Sequence, residues 1–288
     1  MKLLLLGRNG QVGYELERML GGVELVAPDR AQCDLRDPDR LVEAVRAARP
    51  SVIVNAAAYT AVDLAEAEPH EATVVNARAP ALLAAEARRL GAYLLHYSTD
   101  YVFDGAKGAP YVESDPAHPL QVYGRSKLEG EAAIRASGCR HLILRTSWVY
   151  AGRGRNFVLA ILARARATGE LRVVSDQRGV PTWARDLAQL TCAVLQRPAL
   201  PEGLYHAAAA GETTWFEFAR EIVRLAGVPA RVQAVSTREH GGSTPRPLYT
   251  VLDSSRLGRD AGVAPIGEWR ERLALMAAKS SSLSSGSP

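Results

Sequence analysis

The chain has 288 residues, of which 47% are hydrophobic and 23% charged, an ordinary balance for a folded globular protein. No apolar run approaches the roughly 20 residues that span a bilayer, and a net charge of +4 is too small to indicate a nucleic-acid partner. Because Cys33, Cys139 and Cys192 lack paired spacing, we expect a cytoplasmic protein without a zinc site.

Short apolar runs alternate with helical periods in the first half of the chain. The runs predict strands at residues 2–6, 23–27, 51–55, 92–97 and 141–146. The segments between them predict helices at residues 11–20, 38–48, 71–90 and 122–136. Strands this apolar are buried on both faces, which indicates an α/β fold with a Rossmann-like, doubly wound parallel sheet.

The order of elements changes after about Tyr150. Helices predicted at 157–168, 184–195 and 216–226 are separated by strand-like segments at 171–175, 203–207 and 232–235. Thr214 and Glu217 have the spacing of a capping box for the third of these helices. We therefore predict a smaller C-terminal α/β lobe over residues 151–279, followed by a flexible Ser- and Gly-rich tail at 280–288.

A glycine-rich run, G-x-x-G-x-x-G, separates the first strand from the first helix. Gly7 permits a tight turn, Gly10 lets a diphosphate approach the backbone, and Gly13 lets helix and strand pack closely. The diphosphate would bind free N–H groups at the positive end of the helix. We favour a dinucleotide site over a tight turn without a ligand, and assign residues 1–150 to a dinucleotide-binding domain.

The second strand ends at Asp29 and Arg30, which favour different cofactors. An acidic residue here bonds the ribose hydroxyls of NAD, whereas an arginine can bind the 2′-phosphate of NADP, so the preference stays open. Asp34 is a candidate for the adenine amine. A helix cap before Pro38 is the alternative role for Asp34 or Asp37.

Tyr123 and Lys127 form a Y-x-x-x-K pair on one face of a predicted helix. A lysine ammonium stabilises a nearby phenolate, and we expect it to lower the pKa of Tyr123 from about 10 toward neutrality. The phenol could then give its proton to a carbonyl group under reduction. Only four of the 35 basic residues are lysine, which favours this role over a surface helix pair.

Two further segments lie at the carboxyl ends of predicted strands, where open parallel sheets bind ligands. A hydroxyl of Ser98 or Thr99 could bond the substrate oxygen, and the small residues at 55–60 would let the cofactor lie against the backbone. His96 and His206 are expected to pack or bond at strand ends. Trp148, just after a strand, is either a core residue or a sugar contact.

Together, these segments resemble the extended short-chain dehydrogenase/reductase superfamily. Longer runs more narrowly resemble its dTDP-4-dehydrorhamnose reductase family, at residues 55–63, 96–103, 144–152 and 203–206. The likeness extends from residue 1 to about residue 275. It implies reduction of the C4 keto group of a nucleotide sugar by NADPH or NADH, as in the conversion of dTDP-4-dehydro-L-rhamnose to dTDP-L-rhamnose.

The resemblance also implies roles for individual residues. Tyr123 would donate the proton, Lys127 would activate it, and Thr99 would assist at the oxygen. Substrate contacts are implied for Thr99, Asp100 and Trp148, in a cleft between the two lobes. Cofactor contacts are implied for Gly10, Gln11, Val12, Asp29, Asp34, Leu35, Ala58, Tyr59, Thr60, Tyr123 and Lys127.

The chain departs from the resembling family at several positions. Some members bind magnesium through glutamates at a dimer interface. Glu15 matches one of these, but Arg185 replaces another, so we predict no metal and leave a homodimer open. Leu64 stands where the family often has lysine.

Functions other than reduction receive less support from the sequence. Related 4,6-dehydratases carry a glutamate where this chain has Tyr101, which disfavours dehydration. A nucleotide-sugar 4-epimerase and a non-catalytic, NADP-binding regulatory subunit stay open. No G-x-S-x-G motif or metal-ligand spacing of histidines is present in the sequence, which excludes the common hydrolase patterns.

Overall fold

The computed structural model describes residues 1–279, so the predicted tail at 280–288 lies outside the described residues. The strands are β1 (Lys2–Leu6), β2 (Glu24–Val26), β3 (Val52–Asn55), β4 (Tyr93–Thr99), β5 (Arg140–Thr146), β6 (Val149–Tyr150), β7 (Glu170–Val174), β8 (Arg178–Gly179), β9 (Thr182–Trp183), β10 (Gly203–His206), β11 (Thr213–Thr214) and β12 (Arg231–Val235). The α-helices are α1 (Gln11–Met19), α2 (Pro38–Ala48), α3 (Val62–Ala67), α4 (Pro69–Thr73), α5 (Ala79–Leu90), α6 (Val122–Ala136), α7 (Phe157–Thr168), α8 (Ala184–Leu195), α9 (Trp215–Leu225), α10 (Thr237–His240), α11 (Ser255–Ala261) and α12 (Trp269–Lys279). Within these residues, no helix is both long and apolar enough to cross a membrane.

Six parallel strands form the central sheet, in the order β10-β5-β4-β3-β1-β2. Side chains of β1 alternate between the two faces: Leu3 and Leu5 pack in one buried cluster, and Leu4 and Leu6 in the other. Because both faces are apolar, helices cover both. The predicted doubly wound parallel sheet is confirmed.

The strand order reverses next to β1, because the chain runs out to β2 and then returns to form β3 on the other side. In register, Leu6 lies opposite Asn55, Asn55 opposite His96, and Thr99 opposite Thr146. The carboxyl ends of β1, β3, β4 and β5 therefore lie along one edge. This is the edge at which open parallel sheets bind ligands.

The chain after β5 contributes to both parts of the molecule. Three two-stranded pairs, β6 with β9, β7 with β12 and β8 with β11, lie outside the central sheet. However, β10 pairs with β5 in the central sheet, and α8 packs against α1. The segment predicted as a lobe at 151–279 thus returns residues 203–206 to the main sheet, and its role in substrate binding stays a prediction.

The helix predicted over residues 71–90 is present, but a π-helical turn at Val74–Arg78 interrupts its α-helical hydrogen bonding between α4 and α5. Pro80 has no N–H to donate to a carbonyl of the preceding turn, and a wider turn accommodates this. The predicted strand at 92–97 also differs. It extends to Thr99, so Ser98 and Thr99 are the last residues of β4.

Gly130→Ala should destabilise the protein, because a Cβ at residue 130 would lie 2.1 Å from the Asn76 carbonyl oxygen. In an unobstructed helix interior the same change would stabilise by about 0.5–1 kcal/mol. We expect the free energy of unfolding, measured by urea denaturation, to fall by about 2 kcal/mol or more. Gly21→Ala is the control, since nothing lies within 4 Å of its added Cβ. Equal stability of the two variants would contradict the packing of α6 on the π-helical turn.

Candidate active site

The glycine-rich loop joins β1 to α1 at the edge of the sheet where the strand order reverses. Gly7 has a left-handed φ of +86°, and a Cβ there would lie 2.7 Å from the backbone of Ala56 and Ala57. A Cβ on Gly13 would lie 2.1 Å from the Gly7 carbonyl oxygen. Both positions therefore require glycine, as the motif predicts.

The amino end of α1 has the properties of an anion site. Gly10 is its N-cap and provides no side-chain hydrogen bond to the first turn. The first N–H groups of the helix are thus available to a diphosphate, which the helix dipole also favours. Gln11 donates from Nε2 to the Val149 carbonyl at 3.3 Å, and its buried Oε1 has no partner within residues 1–279. An amide or hydroxyl of a bound dinucleotide would satisfy this oxygen, so the loop fits such a cofactor.

Charged side chains surround the end of β2, where the adenosine would lie. The Asp34 carboxylate accepts from Arg36 at 2.6 Å and from Arg30 at 3.3 Å. These bonds, that from Arg36 most strongly, hold the pKa of Asp34 below its usual range. Asp29 instead exchanges hydrogen bonds with Gln32. Both arginines and carboxylates are present here, so this end of the site offers contacts to either cofactor. Leu35 is buried against the sheet.

Asp37 caps α2, one of the two roles that the sequence allows for it, since its side chain accepts a hydrogen bond from the Arg40 N–H at the start of that helix. Asp34, by contrast, does not cap α2 but accepts from Arg36. The sequence allowed either aspartate to cap α2, and in the structure Asp37 is the cap.

The loop after β3, which contains Ala58, Tyr59 and Thr60, is fixed by a side chain that the sequence patterns did not identify. Asn76 accepts from the Tyr59 N–H at 2.9 Å and donates to the Tyr59 carbonyl at 3.0 Å. It also donates to the Ser126 hydroxyl, which joins the loop to α6. A buried asparagine inside an alanine-rich helical pattern is the signal that could have identified it.

Thr99 and Asp100 lie at the carboxyl end of β4 and form a buried polar cluster. Thr99 accepts from the Tyr101 N–H at 3.2 Å and so caps the 3-10 turn at Asp100–Val102. The Asp100 carboxylate accepts from Thr99 at 3.1 Å and from Ser147 at 3.0 Å. Burial raises the pKa of Asp100 to about 6, although hydrogen bonds from Thr250, Ser147 and Thr99 oppose the shift.

Tyr123 lies in the first turn of α6, which begins where the Val122 N–H donates to Glu66 at 2.7 Å. The Thr99 side chain lies near the Tyr123 hydroxyl. The predicted lowering of its pKa toward neutrality is wrong. Removal from water raises the pKa of Tyr123, and the nearby Thr99 side chain only partly offsets this.

Lys127 is almost fully buried one helical turn after Tyr123, and its ammonium group has other partners. Its Nζ donates to the Tyr97 carbonyl at 2.6 Å and lies 3.1 Å from Nε2 of His96. Burial lowers the pKa of Lys127 to about 8, although the charge of Glu131 opposes the shift. Two strand-end groups thus hold the lysine, which explains why it does not lower the pKa of the phenol.

A buried ion pair beneath the site was likewise not foreseen from the sequence. Arg145 donates to Glu131 at 2.9 and 2.7 Å, and Ser98 donates to the same carboxylate at 2.5 Å. The two charged side chains are only 4% and 1% exposed. They join β5 to α6 one helical turn after Lys127, so they fix α6 against the sheet. The Ser98 hydroxyl is therefore bonded to the Glu131 carboxylate of this ion pair, and the Thr99 hydroxyl is the one near Tyr123.

Trp148 lies at the junction between the sheet and the C-terminal part of the chain. Its backbone has a left-handed φ of 42°, which is strained for a large side chain. Its ring stacks on Trp215 at the start of α9, with centroids 3.5 Å apart and planes at 8°. A Cβ on Gly179 would lie 2.5 Å from the Trp148 ring. The half-buried Trp148 is therefore not a simple core residue, and a sugar contact stays a prediction.

Arg246 reaches the site from the C-terminal segment. It donates to Asp63 at 2.6 Å and lies 5.9 Å from the centre of the Tyr101 ring. Burial raises the pKa of Tyr101 to about 12, with the neighbouring charge of Asp100 in the same direction.

As to metals, no group of three or more His, Cys, Asp or Glu side chains in the described part of the chain is placed to bind one.

Comparisons with known proteins agree with this geometry. The model of a protein family described as the RmlD substrate binding domain matches residues 1–282. A dTDP-4-dehydrorhamnose reductase of Burkholderia thailandensis is 42% identical, over 96% of this chain and 97% of that protein. The one from Escherichia coli K12 is 41% identical, over 94% of this chain and 95% of that protein. A crystal structure of the Bacillus anthracis dTDP-4-dehydrorhamnose reductase in complex with NADP has a TM-score of 0.93 at 33% identity, covering 97% of this chain and 100% of that one.

Asp100→Asn should change how the free energy of unfolding depends on pH. The carboxyl has a pKa of about 6 in the folded protein and an ordinary value of 3.8. Between these pH values the folded state binds more protons than the unfolded state, so stability falls as pH rises through the window. An amide does not titrate. The stability of the variant relative to the original should therefore increase by about 2–3 kcal/mol from pH 4 to pH 7, measured by urea unfolding. A difference that stays constant with pH would contradict the buried carboxyl.

Proposed function

This chain belongs to the dTDP-4-dehydrorhamnose reductase family, and we propose that it reduces the C4 keto group of dTDP-4-dehydro-L-rhamnose with NADPH or NADH, giving dTDP-L-rhamnose. The observation that carries the proposal is that Tyr123, in the first turn of α6, and Thr99, the last residue of β4, are neighbours at the carboxyl edge of the sheet, close enough for Thr99 to lower the pKa of Tyr123. Two hydroxyl groups at this edge can both bond one substrate oxygen.

Several groups of this chain would hold the dinucleotide. The glycine loop and the amino end of α1 suit the diphosphate, and the arginines and carboxylates near β2 suit the adenosine. Tyr123 and Lys127 suit the nicotinamide ribose, because α6 places them beside β4, where Lys127 donates to the Tyr97 carbonyl. When bound, the reduced nicotinamide supplies the hydride.

Tyr123 is suited to donate the accompanying proton. Its raised pKa keeps the phenol protonated at neutral pH. Addition of hydride makes the substrate oxygen an alkoxide, which is a far stronger base than a phenolate and takes the proton. Thr99 can stabilise the phenolate that results by turning its single O–H from Asp100 toward the phenol oxygen, because a hydrogen bond from Thr99 lowers the pKa of Tyr123.

The Tyr101 position argues against a dehydratase. Its phenol has a pKa of about 12 and contacts Arg246, and its ring meets that of Tyr123 edge-on at 6.0 Å. Dehydration also requires a group that accepts a proton at neutral pH, which a phenol that stays protonated cannot do, whereas reduction requires only a proton donor. A 4-epimerase and a regulatory subunit differ from the reductase in that neither consumes reduced cofactor steadily.

We also propose a cytoplasmic location, which the three free cysteines support. Fractionation of the source cells tests it. A homodimer stays a prediction, which light scattering of the purified chain would test.

Tyr123→Phe should lower kcat for NADPH-dependent reduction of dTDP-4-dehydro-L-rhamnose by about 100-fold or more, because the ring then has no proton to donate. The dissociation constant for NADPH should stay within about threefold, since most cofactor contacts remain. Steady-state kinetics and fluorescence titration measure the two quantities.

Tyr205→Phe is the matched control, because that hydroxyl bonds Asp260 at 3.3 Å, away from the catalytic pair. It should keep the original kcat. If the unmodified protein oxidised neither NADPH nor NADH steadily in the presence of dTDP-4-dehydro-L-rhamnose, the reductase would be refuted. Near-normal turnover by Tyr123→Phe would refute only the role of Tyr123.

A further inference from the structure

A series of buried hydrogen bonds leads from the loop after β3, residues 56–61 and here termed the cofactor loop, to Lys127. Asn55, the last residue of β3, accepts from the Ala57 N–H at 3.2 Å through its Oδ1. Its Nδ2 lies 3.1 Å from Nδ1 of His96, the residue directly opposite in β4. The other ring nitrogen of His96, Nε2, lies 3.1 Å from Nζ of Lys127. Asn55, His96 and Lys127 are each about 1% exposed, so bulk solvent does not reach them.

The Ala57 N–H, at the start of this series of hydrogen bonds, fixes which group donates and which accepts at each following contact. A backbone N–H can only donate, so Asn55 presents its oxygen to Ala57 and its NH₂ group to His96. Nδ1 of His96 must then accept, and a neutral imidazole carries its proton on Nε2. That proton points at the Lys127 nitrogen, which must accept it. An ammonium group has no lone pair and cannot accept, whereas a neutral amine can.

A charged Lys127 would require one mismatch in the series. Two donors would face each other either between Asn55 and His96 or between His96 and Lys127, or Asn55 would turn over and direct its NH₂ at the Ala57 N–H. Protonation of His96 would not help, because burial and the neighbouring charge of Lys127 lower the pKa of His96 well below its ordinary value. An unmade hydrogen bond at a buried site costs about 1–3 kcal/mol.

We propose that Asn55 and His96 act as positioning residues which favour the neutral amine of Lys127, so that this lysine changes charge near neutral pH. The chemical consequence concerns the proposed reductase, on which this inference rests. An ordinary lysine stays charged throughout the working pH range, whereas Lys127 can both accept and release a proton beside Tyr123. The hydrogen-bonded series Asn55–His96–Lys127, here termed the relay, thereby sets the pH at which the charge of the site changes.

The charged groups around Lys127 do not remove this preference. On α6, Glu131 favours the ammonium form, but its carboxylate already pairs with Arg145 of β5 and accepts from Ser98 of β4. From β4, the Tyr97 carbonyl accepts from Nζ at 2.6 Å, which either form of the lysine can satisfy. Tyr123 on α6 is uncharged at neutral pH. Burial, the largest influence, favours the amine and gives Lys127 a pKa of about 8.

Lysine scarcity makes a direct test practical. Only Lys2, Lys107, Lys127 and Lys279 occur, and all except Lys127 are partly or fully exposed. In full-length protein carrying ¹³Cε-labelled lysine, four NMR signals can be followed against pH without any added nucleotide. Lys2→Arg, Lys107→Arg and Lys279→Arg identify the surface signals in turn. We expect Lys127 to titrate about one pH unit or more below the other three.

Two substitutions of Asn55 test the relay itself. Asn55→Asp offers oxygens to both neighbours, and Asn55→Ser offers a hydroxyl that can accept, so either lets His96 place its proton on Nδ1 and accept from an ammonium group. Both should raise the Lys127 midpoint, by about one unit for Asp and about half a unit for Ser. Asn156→Ser is the control, because Asn156 accepts from a backbone N–H in the same way but caps the distant α7. It should leave the midpoint unchanged.

Each outcome either supports the relay or overturns it. A Lys127 signal that titrates together with the surface lysines in the original protein would overturn the proposal without any variant. So would an unchanged midpoint in Asn55→Ser, or a rise in Asn55→Asp alone, which an added negative charge explains by itself. Because the measurement involves neither substrate nor turnover, a failure of the reductase assay would leave this result intact, and the reverse also holds.

Discussion

Parallel register at the centre of the sheet is the constraint on which the site depends. Leu6, Asn55, His96 and Arg145 lie close to the ends of adjacent strands because each strand is paired in step with the next. The glycine loop, the cofactor loop and the Thr99–Asp100 cluster all continue from these ends. A shift of one residue in β4 would turn Thr99 to the opposite face and separate it from Tyr123.

Burial then decides the chemistry of the groups assembled there. It keeps the phenol of Tyr123 protonated, raises the pKa of the Asp100 carboxyl to about 6 and lowers the pKa of Lys127 to about 8. The permanent charges of Glu131 and Arg145 compensate each other behind the site. Proton affinity at the edge is therefore set mainly by loss of water and by hydrogen-bond order, and less by attraction between charges.

Local sequence patterns predicted what depends on local structure. The glycine loop, helix α6 with Tyr123 and Lys127, and the apolar strands follow from spacing alone, and all are present where expected. The interrupted helix before Pro80 and the return of residues 203–206 to the sheet depend on packing with distant elements, which spacing does not encode. The pKa of Tyr123 was misjudged for the same reason. The helical pattern places Lys127 one turn after Tyr123. That its amine contacts Tyr97 and His96 depends on the packing of α6 against β4, which the pattern does not contain.

The most direct test of this account is a crystal structure of the protein with NADP⁺ and dTDP-L-rhamnose. The account predicts that the C4 hydroxyl of the sugar lies about 3 Å from both the Tyr123 hydroxyl and the Thr99 hydroxyl, at the carboxyl edge of β4. A sugar bound with its C4 hydroxyl directed away from these two groups, or a nicotinamide bound at another edge of the sheet, would contradict it.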